Sequence, residues 1–372
     1  MGMKVGVLTG GGDCPGLNAV IRAVSKSLML QCDAQVIGIE EGFLGLIERN
    51  ARELSYRDVS GILNRGGTIL GTHNKANPFQ YYGRNGEDVS DEVVDYCHEL
   101  GLDAIVALGG DGTMTICHQF QQKGVNFVGV PKTIDNDLMH TDRTFGFDTA
   151  VNTATEAVDR LQTTGRSHNR VMICETMGRY SGWIALHAGI AGGGDVILIP
   201  EFPFSVEEVA RVCRARRDKQ KFTIIVVAEG ARVEGEDMVV REKDPESTDP
   251  VKLGGIGNYL RERLEPLLDS EIRTTVLGHI QRGGTPTPFD RILATNFGTY
   301  AAGLVAQKRY GRMVALQDNA LTSVPLEEVA DQNRRVPRDS THIRAAYATG
   351  VSLGIEGEEF HIEDLADPQP LS

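Results

Sequence analysis

Hydrophobic positions along the chain fall into short continuous runs separated by longer amphipathic stretches. Residues 5–8 form an apolar run of strand length, 18–30 carry apolar residues at helical spacing, and 34–39 return to a strand pattern. The alternation continues with a helix over 89–100, a strand over 104–108, a helix over 114–123 and a strand over 127–130. Strand-length runs without polar alternation, joined by helices, predict a mainly parallel sheet covered on both faces. Ligands in such sheets bind beyond the carboxyl ends of the strands.

The same pattern then repeats. It predicts a helix over 147–161, a strand over 171–175, a helix over 182–191 and a strand over 196–199. A basic helix over 206–221 and a strand over 223–228 follow, the latter running into Glu229-Gly230. Residues 232–252 are polar and acidic, contain Asp244-Pro245 and Asp249-Pro250, and read as a surface excursion. Beyond it come a helix over 259–268, a strand over 274–277, a long helix over 289–308 and a strand over 313–317. The polar stretch from about Asp331, with its final acidic run, is expected to cap the second unit.

Composition changes this picture in one respect. Glycine makes up 43 of 372 residues, well above the usual share of roughly 7%. The glycines cluster at 10–12, 66–67, 109–110, 192–194 and 283–284, and such clusters let backbone amides approach an anion closely. The net charge of −13 argues against nucleic acid or an anionic membrane as the main partner. A protein this acidic that handles phosphates must concentrate its cations locally. The six cysteines show no metal-ligand spacing and read as reduced thiols. The strand pattern begins at residue 4, so no secretory leader is expected, and no apolar stretch reaches membrane-spanning length.

Three segments carry candidate chemistry. The first, Thr9-Gly10-Gly11-Gly12-Asp13-Cys14-Pro15-Gly16-Leu17-Asn18, lies between a strand and a helix, where amides and a helix N-terminus suit a phosphate. It lacks the lysine and the fixed spacing of the common nucleotide-binding fingerprints, and a tight structural turn is the other reading. The second, Gly109-Gly110-Asp111-Gly112-Thr113, follows the strand at 104–108. Its glycines leave room for a polyphosphate, and Asp111 is a hard oxygen ligand suited to Mg²⁺. The third, Pro131-Lys132-Thr133-Ile134-Asp135-Asn136-Asp137, places two carboxylates two residues apart beyond a strand end. One would take a proton from an attacking hydroxyl while the other supports a metal, unless the segment is a solvated acidic turn.

Cations complete the set. Arg170 and Arg273 stand at strand starts, whereas Arg179 and Arg282 follow strand ends beside glycines, with His279 close by. A guanidinium at a glycine-rich strand end can grip a phosphate with two parallel hydrogen bonds.

At this point the chain resembles the 6-phosphofructokinases. The resemblance rests on Gly-Gly-Asp-Cys-Pro-Gly-Leu-Asn at 11–18, Asn-Arg-Gly-Gly-Thr-Ile-Leu-Gly at 64–71 and Gly-Gly-Asp-Gly-Thr at 109–113. It continues through Pro-Lys-Thr-Ile-Asp-Asn-Asp at 131–137, Glu-Thr-Met-Gly-Arg-Tyr-Ser-Gly at 175–182 and Gly-His-Ile-Gln-Arg-Gly-Gly at 278–284. The resemblance implies two Rossmann-like three-layer α/β/α domains with mainly parallel sheets and an active site in the cleft between them. Residues 1–146 plus 281–331 would bind the donor, and 147–280 plus 332–372 would bind fructose 6-phosphate.

The roles implied are these. Asp135 would deprotonate the 1-hydroxyl of fructose 6-phosphate, with Thr133 and Asp137 holding the site. Asp111 would help bind Mg²⁺, and Gly12, Gly110, Gly112 and Thr113 would line the nucleotide side. Arg179 would neutralise the transferring group. Met177, Gly178 and Glu229 would contact the sugar, and His279 and Arg282 would bind its 6-phosphate. Arg170 and Arg273 would reach that phosphate from a neighbouring subunit, which implies a homodimer or homotetramer. A cytoplasmic glycolytic kinase using ATP is the function implied.

The donor is the open question. Gly112 is similar to the ATP-using members, because a side chain there would crowd the α-phosphate. Lys132 is similar to the pyrophosphate-using ones, and its ammonium would sit near the donor phosphates, where it could serve either donor. Lys75, aligned through Asn77-Pro78, stands where many relatives have a bridging arginine; it keeps the charge and loses the bidentate geometry. The basic cluster of the usual bacterial effector site is not recognisable. A kinase of NAD or lipids would share the 109–113 segment but not those at 131–137 and 278–284. A non-catalytic sugar-phosphate-binding paralogue would have lost the base or the metal ligand, yet Asp111, Asp135 and Asp137 are all present.

Overall fold

The computed structural model describes residues 2–243, 251–357 and 360–365. The chain begins β1 (Lys4–Thr9), α1 (Leu17–Cys32), β2 (Gln35–Ile39), α2 (Phe43–Ile47), β3 (Ala51–Leu54), α3 (Ser90–Leu100), β4 (Ala104–Gly109), α4 (Asp111–Gln122) and β5 (Phe127–Pro131). It continues α5 (Phe147–His168), β6 (Val171–Thr176), α6 (Trp183–Ala191), β7 (Val196–Leu198), α7 (Val206–Lys219), β8 (Thr223–Ala228), β9 (Val240–Lys243), β10 (Val251–Leu253), α8 (Ile256–Leu264) and β11 (Ile272–Val276). The last elements are α9 (Pro288–Ala306), β12 (Arg312–Gln317), β13 (Ala320–Pro325) and α10 (Thr341–Ala348). Contacts divide the chain into two units, and among the described residues the first comprises 2–149 and 282–333.

The first unit holds a seven-stranded sheet in the order β13-β12-β5-β4-β1-β2-β3. Its central strands are parallel, while β3 and β13 close the two edges in antiparallel pairing. All of β4 and β5 is buried, as continuous apolar strands covered on both faces must be. Ile105, Ala107 and Phe127 point into one core with α2, α3 and α4, where the rings of Phe43 and Phe120 lie 6.3 Å apart. The opposite face is covered by α1 and α9, which pack closely because Gly298 has no side chain. A Cβ there would stand 2.7 Å from the Cβ of Ala23.

The pattern of hydrophobic positions does not predict the two edge strands, for different reasons. β3 reads Ala-Arg-Glu-Leu with only Leu54 buried, so its polarity hides it. β13 follows a two-residue turn at Asp318-Asn319, both with positive φ (51° and 62°). That Asp-Asn pair was a readable hairpin signal.

One buried carboxyl ties two helix starts together in this unit. Asp290 Oδ2 accepts the amide (2.8 Å) and the hydroxyl (2.6 Å) of Thr149, and the side chain of Thr287 caps α9. Burial pushes the Asp290 carboxyl from 3.8 to about 6, against the Thr149 hydrogen bonds. A raised value means that the folded state holds this proton more tightly than the unfolded chain. The stability the group contributes is therefore complete below pH 3.8 and is lost as pH rises through about 6. Asp290→Asn removes that dependence. Its apparent Tm is expected to gain on the parent between pH 4 and pH 7.5, by an amount equivalent to about 1–3 kcal/mol. Parallel melts across that range check it; a difference that ignores pH would show that the carboxyl is ionised throughout.

The second unit holds a four-stranded parallel sheet in the order β11-β6-β8-β7. β6 and β8 are fully buried. Val171, Ile173, Ile225 and Val227 share one core with α7 and α8, and α6 packs on the other face. Within the region expected to be a surface excursion, β9 and β10 pair as an antiparallel ribbon. The Asp-Pro pairs at 244–245 and 249–250 lie outside the described residues, as does part of the C-terminal acidic run. No helix among the described residues is long and apolar enough to cross a membrane.

Candidate active site

In the first unit β1, β4 and β5 are neighbours, in register Thr9↔Leu108 and Gly109↔Pro131, so the loops that follow them leave from one sheet edge. The amide of Gly10 donates to Leu108 O (2.8 Å) and that of Lys132 to Gly109 O (3.0 Å), which holds the three loops together. Thr113 packs beneath the two glycine turns. A Cβ at Gly10 would lie 2.6 Å from its Oγ1, and one at Gly109 would lie 2.2 Å away. Those glycines answer to packing.

Gly112 is different. It is exposed, and a Cβ there would meet no atom within 4 Å. Helix α4 begins at Asp111, three residues before the expected start, because Gly110 occupies the cap position in extended conformation (φ −86°, ψ −164°). Asp111 and Gly112 therefore belong to the first helical turn, whose amides have no partner within the helix and where anions are favoured.

Burial alternates from 133 to 138. Ile134, Asn136 and Leu138 face inward, while Thr133, Asp135 and Asp137 share the accessible side. Asn136 anchors the alternation in the left-handed region (φ 53°), its Oδ1 accepting the amide of Thr144 at 2.9 Å. The hydroxyl of Thr133 accepts the amide of Asp135 at 3.1 Å. Burial, then repulsion from Asp135 and Asp111, pushes the carboxyl of Asp137 up to about 7, against a hydrogen bond from Thr133. Asp111 and Asp135 thus both lie close enough to Asp137 to oppose its ionisation, which is a setting that a divalent cation would relieve. Among the described residues no group of three or more His, Cys, Asp or Glu side chains is arranged to hold a metal by itself. Mg²⁺ needs no such cage, since it is bound through one or two carboxylates with water and phosphate oxygens.

Two cations lie against the glycine loop. Lys132 is 4% exposed, and its ammonium donates to Gly12 O at 2.5 Å. Burial lowers the proton affinity of that ammonium, and Arg282 adds to the effect, while Asp13 and Asp137 oppose it. Arg282, implied as a ligand of the 6-phosphate, donates from Nη1 to Asp13 O at 3.3 Å. A Cβ at Gly12 would stand 2.8 Å from the same nitrogen. Lys75 is half-buried in a segment shaped by His73, whose Nδ1 accepts the amides of Lys75 (3.2 Å) and Ala76 (3.1 Å). The imidazole stacks on Tyr82 at 5.6 Å. The sequence drew no attention to His73.

In the second unit β11, β6 and β8 are adjacent, and the candidate residues Met177, Gly178, Arg179, Glu229 and His279 follow their carboxyl ends. The loops are joined backbone to backbone: the Glu229 amide donates to Thr176 O (2.9 Å) and the Gly230 amide to Gly178 O (3.1 Å). Gly178 takes φ +128°, and a Cβ at Gly230 would fall 1.8 Å from Arg179 O, so both positions require glycine.

Two further residues hold this arrangement and were not singled out from sequence. Gln281, fully buried, accepts the Met177 amide at 3.3 Å and donates to Gly278 O at 3.0 Å. It thereby braces the Met177 loop against the turn that carries His279. Glu175 accepts the amides of Gly255 (3.0 Å) and Gly257 (2.8 Å), so an anionic side chain sits at the start of α8.

Arg170 and Arg273 are not with these loops. They lie toward the opposite, amino-terminal end of the same strands, where both donate to the carboxylate of Glu271. Arg170 first, and then Arg273, hold the Glu271 carboxyl below its usual range.

Comparison with known proteins agrees with this geometry. The phosphofructokinase family profile matches residues 4–305. A Clostridium perfringens protein named ATP-dependent 6-phosphofructokinase 2 is 49% identical over 358 residues, covering 94% of this chain and 98% of the relative. A protein from Amycolatopsis methanolica, named pyrophosphate–fructose 6-phosphate 1-phosphotransferase, is also 49% identical, over 335 residues covering 90% of this chain and 96% of its own. The solved pyrophosphate-dependent phosphofructokinase of Nitrosospira multiformis superposes with a TM-score of 0.79 at 19% identity, covering 99% of this chain and 96% of that one, and so shares the fold. With two α/β units, glycine loops at adjacent strand ends and a family profile that spans most of its length, the chain belongs to the phosphofructokinase family.

Proposed function

We propose that this chain is an ATP-dependent 6-phosphofructokinase of the cytoplasm that transfers the γ-phosphoryl group of ATP to the 1-hydroxyl of fructose 6-phosphate. The products are fructose 1,6-bisphosphate and ADP, as a glycolytic kinase requires. The observation that carries this reading is the crowding of Asp111, Asp135 and Asp137 beside the loop at Gly12, at one sheet edge. Phosphoryl transfer needs a base, neutralised phosphate charge and fixed positions, and that edge supplies them.

In this reading Asp135 accepts the proton of the 1-hydroxyl as the oxygen attacks, and Thr133 orients it through the hydrogen bond to its amide. Asp111, with support from Asp137, would hold Mg²⁺. Bound there, the ion would neutralise charge on the donor phosphates. Gly12, Gly110, Gly112 and Thr113 line the donor, with Lys75 as its further cation. Arg179 offsets charge on the group in transfer. Met177, Gly178 and Glu229 hold the sugar, while His279 and the remaining donors of Arg282 hold its 6-phosphate. The placement of Arg170 and Arg273 at the far end of their sheet supports a role toward a neighbouring copy in a homodimer or homotetramer.

Gly112 favours ATP over pyrophosphate. Neither its backbone nor its neighbours demand glycine, so space for a ligand accounts for it. Lys132 is the feature in favour of pyrophosphate, yet its ammonium is engaged by the Gly12 carbonyl. Steady-state assays with saturating fructose 6-phosphate, first with ATP and then with pyrophosphate, test the reading. Turnover with ATP and little with pyrophosphate is expected. The reverse would reassign the donor, and turnover with neither would remove the kinase reading.

A further inference from the structure

Three consecutive carbonyls of the glycine loop are each held by a different side chain of the first unit. The hydroxyl of Thr72 donates to Gly11 O at 2.5 Å, and it also reaches Thr9 O at 3.1 Å. The ammonium of Lys132 donates to Gly12 O at 2.5 Å, and the guanidinium of Arg282 to Asp13 O at 3.3 Å. These donors come from 61, 120 and 269 residues away along the chain. Carbonyls of a half-buried glycine turn can still be left to water, so three separate tethers on three successive peptides call for a reason.

The planar peptide supplies one. Across a trans bond each N–H points opposite to the preceding carbonyl, and there is no cis bond among the described residues. Holding the carbonyls of Gly11, Gly12 and Asp13 turns the N–H groups of Gly12, Asp13 and Cys14 away from the three tethers. Among the described residues none of these three N–H groups donates a backbone hydrogen bond. Successive amides held in this way suit an anion. The tethers also explain the small residue at Gly12, where a Cβ would press on the Arg282 guanidinium.

We propose that Thr72, Lys132 and Arg282 are positioning residues that aim the amides of Gly12, Asp13 and Cys14 at the phosphates of the donor. This rests on the donor-side reading of the loop given above. It assigns Lys132 a task different from direct phosphate binding: the ammonium acts through the Gly12 carbonyl. It also gives Thr72 a function. A side-chain tether differs from a phosphate ligand in being shared, because loosening one peptide of the loop frees the next.

Thr72→Val keeps the shape and removes the hydroxyl, and Lys132→Met removes the ammonium. With ATP as the probe, Thr72→Val is expected to raise the KM for ATP roughly tenfold, and Lys132→Met by roughly 10- to 100-fold. The KM for fructose 6-phosphate should stay near that of the parent in both. Thr72→Ser, which retains the donor, should recover most of the loss. The double variant should be impaired by less than the product of the single effects, since both act through one loop. Apparent Tm values establish that the variants are folded; if Thr72→Val is not, Thr72→Ala removes the same hydroxyl. An unaltered KM for ATP in the folded Thr72 variant would overturn the proposal, as would a double variant equal to the product. Either result in an enzyme that turns over ATP leaves the parent reading standing, whereas an inactive parent enzyme counts against that reading instead.

Discussion

Asp135→Ala is expected to lower kcat by about 10²- to 10⁴-fold, the usual contribution of a general base, while fructose 6-phosphate still binds. The expectation follows from placement. Asp135 lies on the accessible side of the 133–138 segment with Thr133 and Asp137, and its amide is fixed by the Thr133 hydroxyl. The substitution has a second consequence that a purely structural defect would not produce. Repulsion from Asp135 is one cause of the raised Asp137 carboxyl, so its removal should draw the Asp137 pKa downward. Isotherms for fructose 6-phosphate and a single-turnover measurement separate binding from chemistry. Unchanged turnover in the variant would exclude Asp135 as the base.

Gly112→Asp is expected to move stability and activity in opposite directions. A Cβ added at position 112 in the first turn of α4 meets no atom within 4 Å, and a carboxylate beyond it sits where the helix end favours negative charge. Replacing glycine within a helix also reduces the disorder lost on folding. Thermal stability should therefore hold or rise slightly. Activity with ATP should fall by about 10²- to 10⁴-fold, because a carboxylate set against a phosphate costs several kcal/mol. Pyrophosphate, which has no α-phosphate linked to a nucleoside, should suffer less. ATP kinetics that survive the substitution in a folded enzyme would show that the donor lies elsewhere.

Much of the site was legible in the sequence because its chemistry is local. Gly110-Asp111-Gly112 announces a strand end, a tight turn and a hard oxygen ligand within a few residues. Thr133, Asp135 and Asp137 share a face by the period of two in that segment. Thr72, His73, Gln281 and Glu271 carried no such signal. Gln281 matters through the Met177 amide, 104 residues away, and although it lies within the Gly-His-Ile-Gln-Arg-Gly-Gly segment, nothing local points to that partner. The boundaries that shifted did so for related reasons. Helix α4 gains a turn because Gly110 takes the cap position, and β3 exists only because β2 offers an edge to a polar segment.

By itself, then, the sequence determined the layered α/β architecture, the strand ends from which the loops spring and the kinds of side chain those loops display. Periodicity and glycine placement act over a few residues and need no partner to be read. Only the tertiary structure decided that Thr72, Lys132 and Arg282 converge on three successive carbonyls, that Arg170 and Arg273 share Glu271, and that Asp137 is a reluctant anion. Hydrogen bonds between distant segments and the electrostatic effect of burial depend on which surfaces the folded chain brings together, and no local spacing of residues records that.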